Sequence, residues 1–192
     1  MCILDISKVF MYNFHYKVMR NFYPSYKISL LYTDTDSFVY HIQTKDVYRD
    51  LEKIQQYFDF SNYPKSHFLF SDKNKKIPGF FKDESGGEFI TEFVSLKSKM
   101  YAFVRQEREK LREHKSAKGV QNCVIEHNLK FDHYLACLRL NIVYEHEFSN
   151  IRSVDHQVFT SKQKKISLSC FDDKRYLTSN TTSLPYGHVN IS

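Results

Sequence analysis

The segment YTDTDS at positions 32–37 most constrains the fold, because β-prone residues flank it on both sides. Residues 27–31 read KISLL and residues 38–41 read FVYH, which predicts a β-hairpin with two aspartates near its tip. Because side chains alternate along a strand, Asp34 and Asp36 are expected to point to one side. Paired carboxylates on rigid backbone suit a hard cation such as Mg²⁺. The alternative is an ordinary acidic turn, since Asp, Thr and Ser all favour turns.

Composition indicates a folded intracellular protein. The 192 residues are 42% hydrophobic and 16% aromatic, which is enough for one good core or two small subdomains. The net charge of +6 suits a polyanionic partner, although many basic proteins do not bind nucleic acid. The four cysteines are scattered without a C-x-x-C pair, which indicates reduced packing residues rather than a zinc site or a disulfide framework. No apolar run is long enough to span a bilayer and no secretory leader is evident, so we expect no membrane partner.

Periodicity predicts elements of both kinds in the first half of the chain. Apolar residues at steps of three and four predict a helix over 3–20. Thr44 or Asp46 is expected to cap a second helix, whose apolar stripe continues to Phe58. A strand is predicted over 100–105.

The second half is predicted to be less regular. The charged stretch 105–118 is expected to be a solvated loop or a short exposed helix. A helix is predicted over 128–140, with its inward residues being Phe131, Leu135 and Leu138. Alternation over 154–168 predicts a strand pair that turns around 161–165, and the tail from 178 is expected to be poorly ordered.

A basic segment is the second candidate site. KSKMY places Lys97, Lys99 and Tyr101 at alternate positions, so that Lys99 and Tyr101 would share one face of a strand. An ammonium and a phenol together can contact the phosphate and sugar oxygens of a nucleic acid. Lys118, followed by Gly119, is a third candidate because glycine lets the backbone approach a phosphate closely. Surface lysines beside a half-buried tyrosine are the structural alternative.

These motifs, taken in order, resemble a known family. YTDTDS resembles the third catalytic motif of family B DNA polymerases, Tyr-x-Asp-Thr-Asp-Ser, and KMY at 99–101 resembles the Lys-x-Tyr motif that follows it. The surrounding sequence is similar to the carboxyl-terminal part of the protein-primed branch, as encoded by virus-like transposons of the Maverick/Polinton type. The similar stretches are ILDISKVFMYNFHY, PGFFKDESGGEFITEFVSLKSKMYAF, KGV, FDHYLACL, RSVDHQVFT, FDDKRYL and PYGH. The resemblance covers nearly the whole chain.

The resemblance implies an α+β fold and a nucleotidyl-transfer function. Residues 1–105 would be the carboxyl-terminal half of a polymerase palm, an antiparallel sheet with packed helices, and residues 106–192 would be a small thumb and tail. The family transfers a nucleotide from a dNTP to a primer 3′-hydroxyl with the help of two Mg²⁺ ions. Its partners are a DNA primer–template, dNTP and, in the full-length family, a terminal priming protein.

The resemblance also implies roles for individual residues. Asp36 would be a direct metal ligand, Asp34 would support the metal site beside it, and Thr35 would contact the nucleotide. The residues expected to hold the primer–template are Lys97, Lys99, Tyr101 and Lys118.

The departures from the family pattern predict an inactive chain. The first palm motif, which supplies the other essential aspartate, is absent, as are the fingers helix that grips the triphosphate and the exonuclease motifs. The chain also begins within a predicted helix, so we expect it to be a piece of a longer polymerase. With one ligand segment missing, two cations would face too little negative charge, and transfer by the chain alone should be negligible.

Two other functions fit part of the pattern. A non-enzymatic DNA-binding remnant of a transposon polymerase would keep the basic surface and would not need the aspartates. A metal-dependent glycosyltransferase also uses Asp-x-Asp to hold a nucleotide diphosphate. Many such enzymes carry a signal or membrane anchor, and neither is evident here.

Overall fold

A computed structural model describes residues 2–107, 110–171, 175–179, 182–185 and 187–191. The chain folds into two compact units, unit 1 (Met1–Phe89) and unit 2 (Ile90–Ser192). The boundary predicted after residue 105 falls inside a strand of unit 2, and the assignment of the two parts to palm and thumb remains a prediction. Within FDDKRYL and PYGH, residues 172–174 and Tyr186 lie outside the described residues.

Unit 1 combines helices with one antiparallel hairpin. Its elements in order are α1 (Cys2–Asn13), a π-helical segment (Phe14–Met19), α2 (Arg20–Phe22), β1 (Ile28–Asp34), β2 (Ser37–Ile42), α3 (Val47–Lys53) and a 3₁₀ turn (Gln55–Tyr57). The predicted helix over 3–20 and the predicted hairpin at 32–37 are both confirmed.

The buried part of the first helix differs from the predicted apolar repeat. The structure buries Phe14, His15 and Met19 in the π-helical segment, in which a turn holds an extra residue. Ile3 and Ile6, which precede this segment at the start of the predicted repeat, are exposed.

Helix α3 begins as the sequence predicts. The Asp46 carboxylate accepts hydrogen bonds from the backbone N–H groups of Tyr48 (2.9 Å) and Arg49 (3.2 Å), which satisfies donors that have no partner in the first helical turn. The helix ends at Lys53, five residues before the end of the predicted stripe, but Phe58 is still buried.

Two carboxylates organise the irregular chain between residues 59 and 87. Asp59 is almost fully buried and accepts from the backbone N–H groups of Ser61 (2.9 Å) and Lys76 (3.1 Å) and from Lys82 Nζ (3.1 Å). Asp83 accepts from the Tyr63 hydroxyl at 2.6 Å and from two backbone N–H groups and a serine hydroxyl in residues 85–87. Side chains thus replace regular secondary structure as hydrogen-bond partners in this segment.

Unit 2 is built on antiparallel strands. Its elements in order are β3 (Ile90–Lys97), β4 (Met100–Glu107), β5 (Lys110–Ala117), α4 (Asn122–Asn128), α5 (Phe131–Leu140), β6 (Tyr144–Val154), β7 (Gln157–Leu168), β8 (Arg175–Leu177) and β9 (Ser183–Pro185). Strands β3, β4 and β5 form one sheet in that order, β6 pairs with β7, and β8 pairs with β9. All five named strand pairs are antiparallel, which confirms the predicted α+β class.

Three sequence predictions in unit 2 are wrong in detail. Residues 105–107 and 110–117 are strand rather than loop or helix, because β5 pairs along its whole length with β4. Helix α5 turns Tyr134 and Cys137 inward with Phe131, whereas the predicted inward residue Leu138 is 47% exposed. The β6–β7 turn lies at residues 155–156, so the predicted turn at 161–165 lies within β7. In the described part of the chain, no helix has the length and apolar character needed to cross a membrane.

Candidate functional site

The aspartate pair lies at the tip of the β1–β2 hairpin. Asp34 is the last residue of β1 and pairs with Ser37, the first residue of β2, so that Thr35 and Asp36 form the turn. Thr35 has a φ of 52°, which lies in the left-handed region that two-residue hairpin turns require. The expectation that both carboxylates follow strand alternation is therefore wrong, because Asp36 lies in the turn.

Short-range hydrogen bonds fix this turn. The backbone N–H of Asp36 donates to the Asp34 carbonyl at 2.6 Å, and the Ser37 hydroxyl donates to the same carbonyl at 3.2 Å. The Thr35 hydroxyl donates to Asp34 Oδ1, also at 3.2 Å. Asp34 is half-buried, whereas Thr35 and Asp36 are exposed at the tip. The hydroxyl residues of the motif thus hold the backbone that presents the two carboxylates.

Side chains of the π-helical segment pack against aromatic rings of β2 in the hairpin. The ring of Phe38 stacks on Phe14 at 6.3 Å, and the ring of Tyr40 stacks on His15 at 5.7 Å. His15 Nδ1 and the Tyr40 hydroxyl are 2.9 Å apart and hydrogen-bonded. Burial, aided by the charge of Arg20, lowers the pKa of His15, and burial raises the pKa of Tyr40. Both side chains are therefore neutral near pH 7, and their contact is a neutral hydrogen bond.

The donor set at the tip fits part of a magnesium site. Mg²⁺ prefers octahedral oxygen ligands and is often held by one or two carboxylates together with water and substrate phosphates. Asp34 and Asp36 can supply those carboxylates. Among the described residues, no group of three or more His, Cys, Asp or Glu side chains is arranged to hold a metal ion. The two carboxylates at the hairpin tip therefore fit only part of the oxygen ligand set that Mg²⁺ prefers.

The basic motif lies on a second hairpin, within unit 2. Lys97 ends β3 and pairs with Met100, so that Ser98 and Lys99 form the turn. Lys99 has a φ of 58°, also in the left-handed region. Lys99 and Tyr101 consequently do not share one face of a strand as predicted, because only Tyr101 lies on β4.

The structure brings two separately predicted lysines together. The Lys99 carbonyl accepts from the backbone N–H of Lys118 at 3.0 Å and from the Ser116 hydroxyl at 3.4 Å. The turn before β4 is thereby joined to the loop after β5, where Gly119 has a φ of 90°. A shallow cavity of about 410 Å³ adjoins this loop and is lined by residues 114–120, Asn122 and Ile125. The third predicted lysine, Lys97, donates to the Phe171 carbonyl at 3.2 Å.

Tyr101 belongs to a group of rings on one face of the β3–β4–β5 sheet. Met100, Ala102 and Val104 point into the core of unit 2, so Tyr101 and Phe103 lie on the opposite face. Neighbouring rings on that face are nearly parallel, with centroids 4.6–6.4 Å apart, and we call them the aromatic row: Phe93, Tyr101, Phe103 and His114.

Two arginines extend the same face. Arg105 of β4 pairs directly with Arg112 of β5, which places two like charges opposite each other, an arrangement that is usually unfavourable. Sequence reasoning missed the aromatic row and this pair because it did not predict β5. Had β5 been predicted, the alternation of its side chains would have placed His114 and Arg112 on the same face of the sheet as Tyr101.

Comparison with known proteins gives no match to this chain. No family model matches the chain, and neither a curated protein nor a solved structure matches it significantly.

Proposed function

We propose that this chain is the carboxyl-terminal part of a protein-primed family B DNA polymerase of the Maverick/Polinton type. In this proposal residues 1–105 are the second half of the palm, and residues 106–192 are the thumb and tail. The observation that carries the proposal is the hairpin that presents Asp34 and Asp36 at its tip, within the sequence YTDTDS. The ordered motifs that follow, and the basic turn at Lys99, support the same assignment.

The proposed reaction adds a nucleotide to a DNA primer. The primer 3′-hydroxyl oxygen forms a bond to the α-phosphorus of a dNTP, and the bond to the departing pyrophosphate breaks. When bound, Mg²⁺ polarises the phosphate and neutralises the developing charge. Asp36 would hold the ion, Asp34 would support it, and Thr35 would lie beside the nucleotide. Lys97, Lys99, Tyr101 and Lys118 would contact the primer–template.

The chain alone should not catalyse this reaction. The 192 residues contain neither the first palm motif nor the fingers helix of the family, so half of the carboxylate ligands and the triphosphate grip are missing. Two carboxylates do not carry enough negative charge for two closely spaced divalent ions. Activity would therefore need a segment that supplies the other aspartate.

Primer extension tests the proposal. The purified chain, given Mg²⁺, dNTPs and a primer–template, is expected to extend nothing. The same residues joined to a segment that supplies the first palm motif and the fingers helix of the family are expected to give templated extension. In that longer protein, Asp36→Asn should slow extension at least about 100-fold.

Asp72→Asn is the matched control, since Asp72 is an exposed aspartate of the same unit, paired with Lys75. It should leave extension unchanged. Robust extension by the chain alone would contradict its predicted inactivity. Full extension by the Asp36→Asn protein would contradict the polymerase assignment.

A second candidate function is DNA binding without catalysis, and the charge of unit 2 favours it. Unit 1 contains 12 Lys and Arg against 11 Asp and Glu, a net charge of +1, whereas unit 2 contains 16 against 11, a net charge of +5. The aromatic row lies in unit 2, and aromatic rings next to cations are typical of surfaces that bind single-stranded nucleic acid.

Salt-dependent binding tests the DNA contact that both candidates share, and primer extension by the longer protein separates them. Loss of two phosphate contacts in a Lys97→Ala plus Lys99→Ala variant should weaken binding and reduce the slope of log K against log salt by about 2. Asp36→Ala should not weaken binding in either case. The control is Lys73→Ala plus Lys75→Ala in unit 1, which should leave binding unchanged. An unchanged affinity in the Lys97/Lys99 variant would exclude the proposed contact.

A further inference from the structure

The rings of the aromatic row form a continuous layer across three strands. Phe103 of β4 pairs directly with Phe93 of β3 on one side and with His114 of β5 on the other. The ring of Phe103 lies 4.6 Å from that of His114, and it is parallel to the ring of Tyr101 within 6°. Directly paired residues point to the same face of an antiparallel sheet, so the four rings form one surface.

This surface is accessible from solvent. His114 is exposed, and the other three rings are half-buried although they pack against one another. None of these four described residues belongs to the buried core cluster of unit 2, whose strand residues lie on the opposite face of the sheet. The packing of that core therefore does not account for the row.

Two cations lie beside the rings on the same face. Arg105 follows Phe103 by two positions on β4, so alternation places it on the face that carries the rings. Arg112 precedes His114 by two positions on β5 and pairs directly with Arg105. Because the Cβ atoms of directly paired residues are about 5 Å apart, the two guanidinium groups can donate to one phosphate group.

A single-stranded nucleic acid is the partner that fits both the charge and the rings. Unit 2 contains 16 Lys and Arg against 11 Asp and Glu, which favours a polyanion. The base faces of a duplex are covered by stacked neighbours, so a protein reaches only its phosphates, its sugars and the base edges in its grooves. Unpaired bases can lie flat on aromatic side chains, and sheets that carry such rings stack two or three bases in this way.

We propose that the aromatic row and the arginine pair form a binding site for single-stranded DNA. Bases stack on the rings, and one backbone phosphate lies between Arg105 and Arg112. The site extends towards the basic turn, because Lys99 precedes Arg105 by six residues, or about 20 Å along a strand. This inference rests on the DNA binding that both proposed functions share, and it specifies the form of the DNA and the residues that hold it.

A single tryptophan can report base stacking directly. The sequence contains no tryptophan, so Phe103→Trp gives the full chain one such fluorophore, within the row. A single-stranded oligonucleotide of thymidylate should quench its fluorescence, because a stacked base contacts the indole ring. A blunt duplex of the same length should quench it far less. Phe68→Trp is the matched control, since Phe68 is 47% exposed and lies in unit 1, and its fluorescence should not change.

Affinity measurements separate stacking from a structural role. Phe103→Leu keeps an apolar side chain but removes the aromatic face, and it should weaken binding of the oligonucleotide about 10-fold, whereas Phe103→Tyr should bind as the unchanged chain does. His114→Ala, a change at an exposed position, should also weaken binding. Arg105→Ala plus Arg112→Ala should reduce the slope of log K against log salt by about 0.7, the value for one phosphate of a single strand.

Four results would contradict the inference, and they have different meanings. Unchanged affinity in both Phe103→Leu and His114→Ala, or equal quenching by single strand and duplex, would overturn the single-strand site. A dimer that Phe103→Leu disrupts, without DNA binding, would assign the face to a second copy of the chain. Duplex binding that depends on Lys97 and Lys99, without quenching by the single strand, would overturn this site but leave the proposed DNA contact intact. Failure to bind either form of DNA would contradict the proposed DNA binding as well.

Discussion

Each unit contains one hairpin with a candidate motif, YTDTDS in unit 1 and KMY in unit 2. The two hairpins differ in charge and in the contacts that hold them in place. The acidic hairpin of unit 1 has two strands, and aromatic side chains from the π-helical segment support it. The basic turn of unit 2 belongs to a three-stranded sheet, and a backbone hydrogen bond from Lys118 joins it to the neighbouring loop. Among the described residues, the main buried cluster of unit 1 has six aromatic members of eleven, against two of ten in the cluster of unit 2.

Because of this difference, we expect the two units to be destabilised by different changes. Irregular segments of unit 1 depend on the buried carboxylate of Asp59 and the half-buried carboxylate of Asp83 for their hydrogen bonds. Unit 2 relies on strand ladders whose backbone groups do not titrate. Acid and single carboxylate substitutions should therefore weaken unit 1 selectively, and hydrogen exchange followed peptide by peptide can measure the two units separately.

The largest expected effect comes from Asp59→Ala. It removes the acceptor of two backbone N–H groups and leaves Lys82 without its buried partner. We expect unit 1 to lose about 3 kcal/mol of unfolding free energy, because unsatisfied buried donors carry their full desolvation cost. Hydrogen exchange should rise across residues 59–82, while unit 2 stays protected.

Asp72→Ala is the matched control, since Asp72 is exposed and makes only a surface ion pair with Lys75. It should change the unfolding free energy by less than about 0.5 kcal/mol. Equal losses in the two variants would mean that Asp59 does not organise its loop.

Acid should produce the next largest effect, again in unit 1. Burial alone would raise the pKa of the Asp59 carboxyl, but hydrogen bonds from Ser61, Lys82 and Lys76 outweigh it and lower the pKa to about 2. The unfolded carboxyl titrates near 3.8, so the stabilisation is present above that pH and is lost as the pH falls towards 2. The loss amounts to about 2 kcal/mol.

Acid unfolding of each unit checks this prediction. Unit 1 should lose protection between about pH 4 and pH 2 before unit 2 does. In Asp59→Asn, which cannot titrate, the pH dependence of unit 1 in this window should be smaller. Loss of protection in both units at the same pH would show that the contrast between them is wrong.

The sequence predicted those parts of the fold in which short-range pattern and chemistry agree. The YTDTDS hairpin lies between apolar segments, and Asp46 caps α3 because its carboxylate reaches two N–H groups in the first turn. Strand β5 was missed because charges of both signs on an edge strand hide its alternation. The β6–β7 turn was missed because Asp155 and His156 adopt positive φ without a glycine to mark it.

The candidate site was predicted residue by residue but not in its arrangement. The sequence identified Asp34 and Asp36 near a hairpin tip, where the structure has them, but it placed Lys99 on a strand, whereas Lys99 lies in a turn. The contact between Lys99 and Lys118 depends on the pairing of β4 with β5, which is a long-range feature. Short-range patterns carry no information on such pairings until both strands are known.

A smaller effect is expected from Tyr40→Phe, which keeps the ring but removes the hydroxyl bonded to His15. The structure shows both side chains behind the acidic hairpin, with the two atoms 2.9 Å apart. We expect a loss of about 1 kcal/mol in unit 1, the usual net value of one neutral hydrogen bond. Thermal unfolding measures it, and Tyr134→Phe, which removes a hydroxyl bonded to the Ser116 carbonyl, provides the equivalent change in unit 2.

The smallest predicted change in stability has the opposite sign and concerns the arginine pair of unit 2. Arg105→Glu replaces a like-charge pair across β4 and β5 with an opposite-charge pair facing Arg112. Unit 2 should gain about 0.5 kcal/mol of unfolding free energy, while its affinity for DNA should fall, because a positive charge beside the aromatic row becomes negative. Thermal unfolding and DNA titration of the same variant check both parts. A variant that gains stability and also keeps full affinity for DNA would show that Arg105 and Arg112 do not contact the DNA. Any DNA contact would then have to come from other positive charges of unit 2.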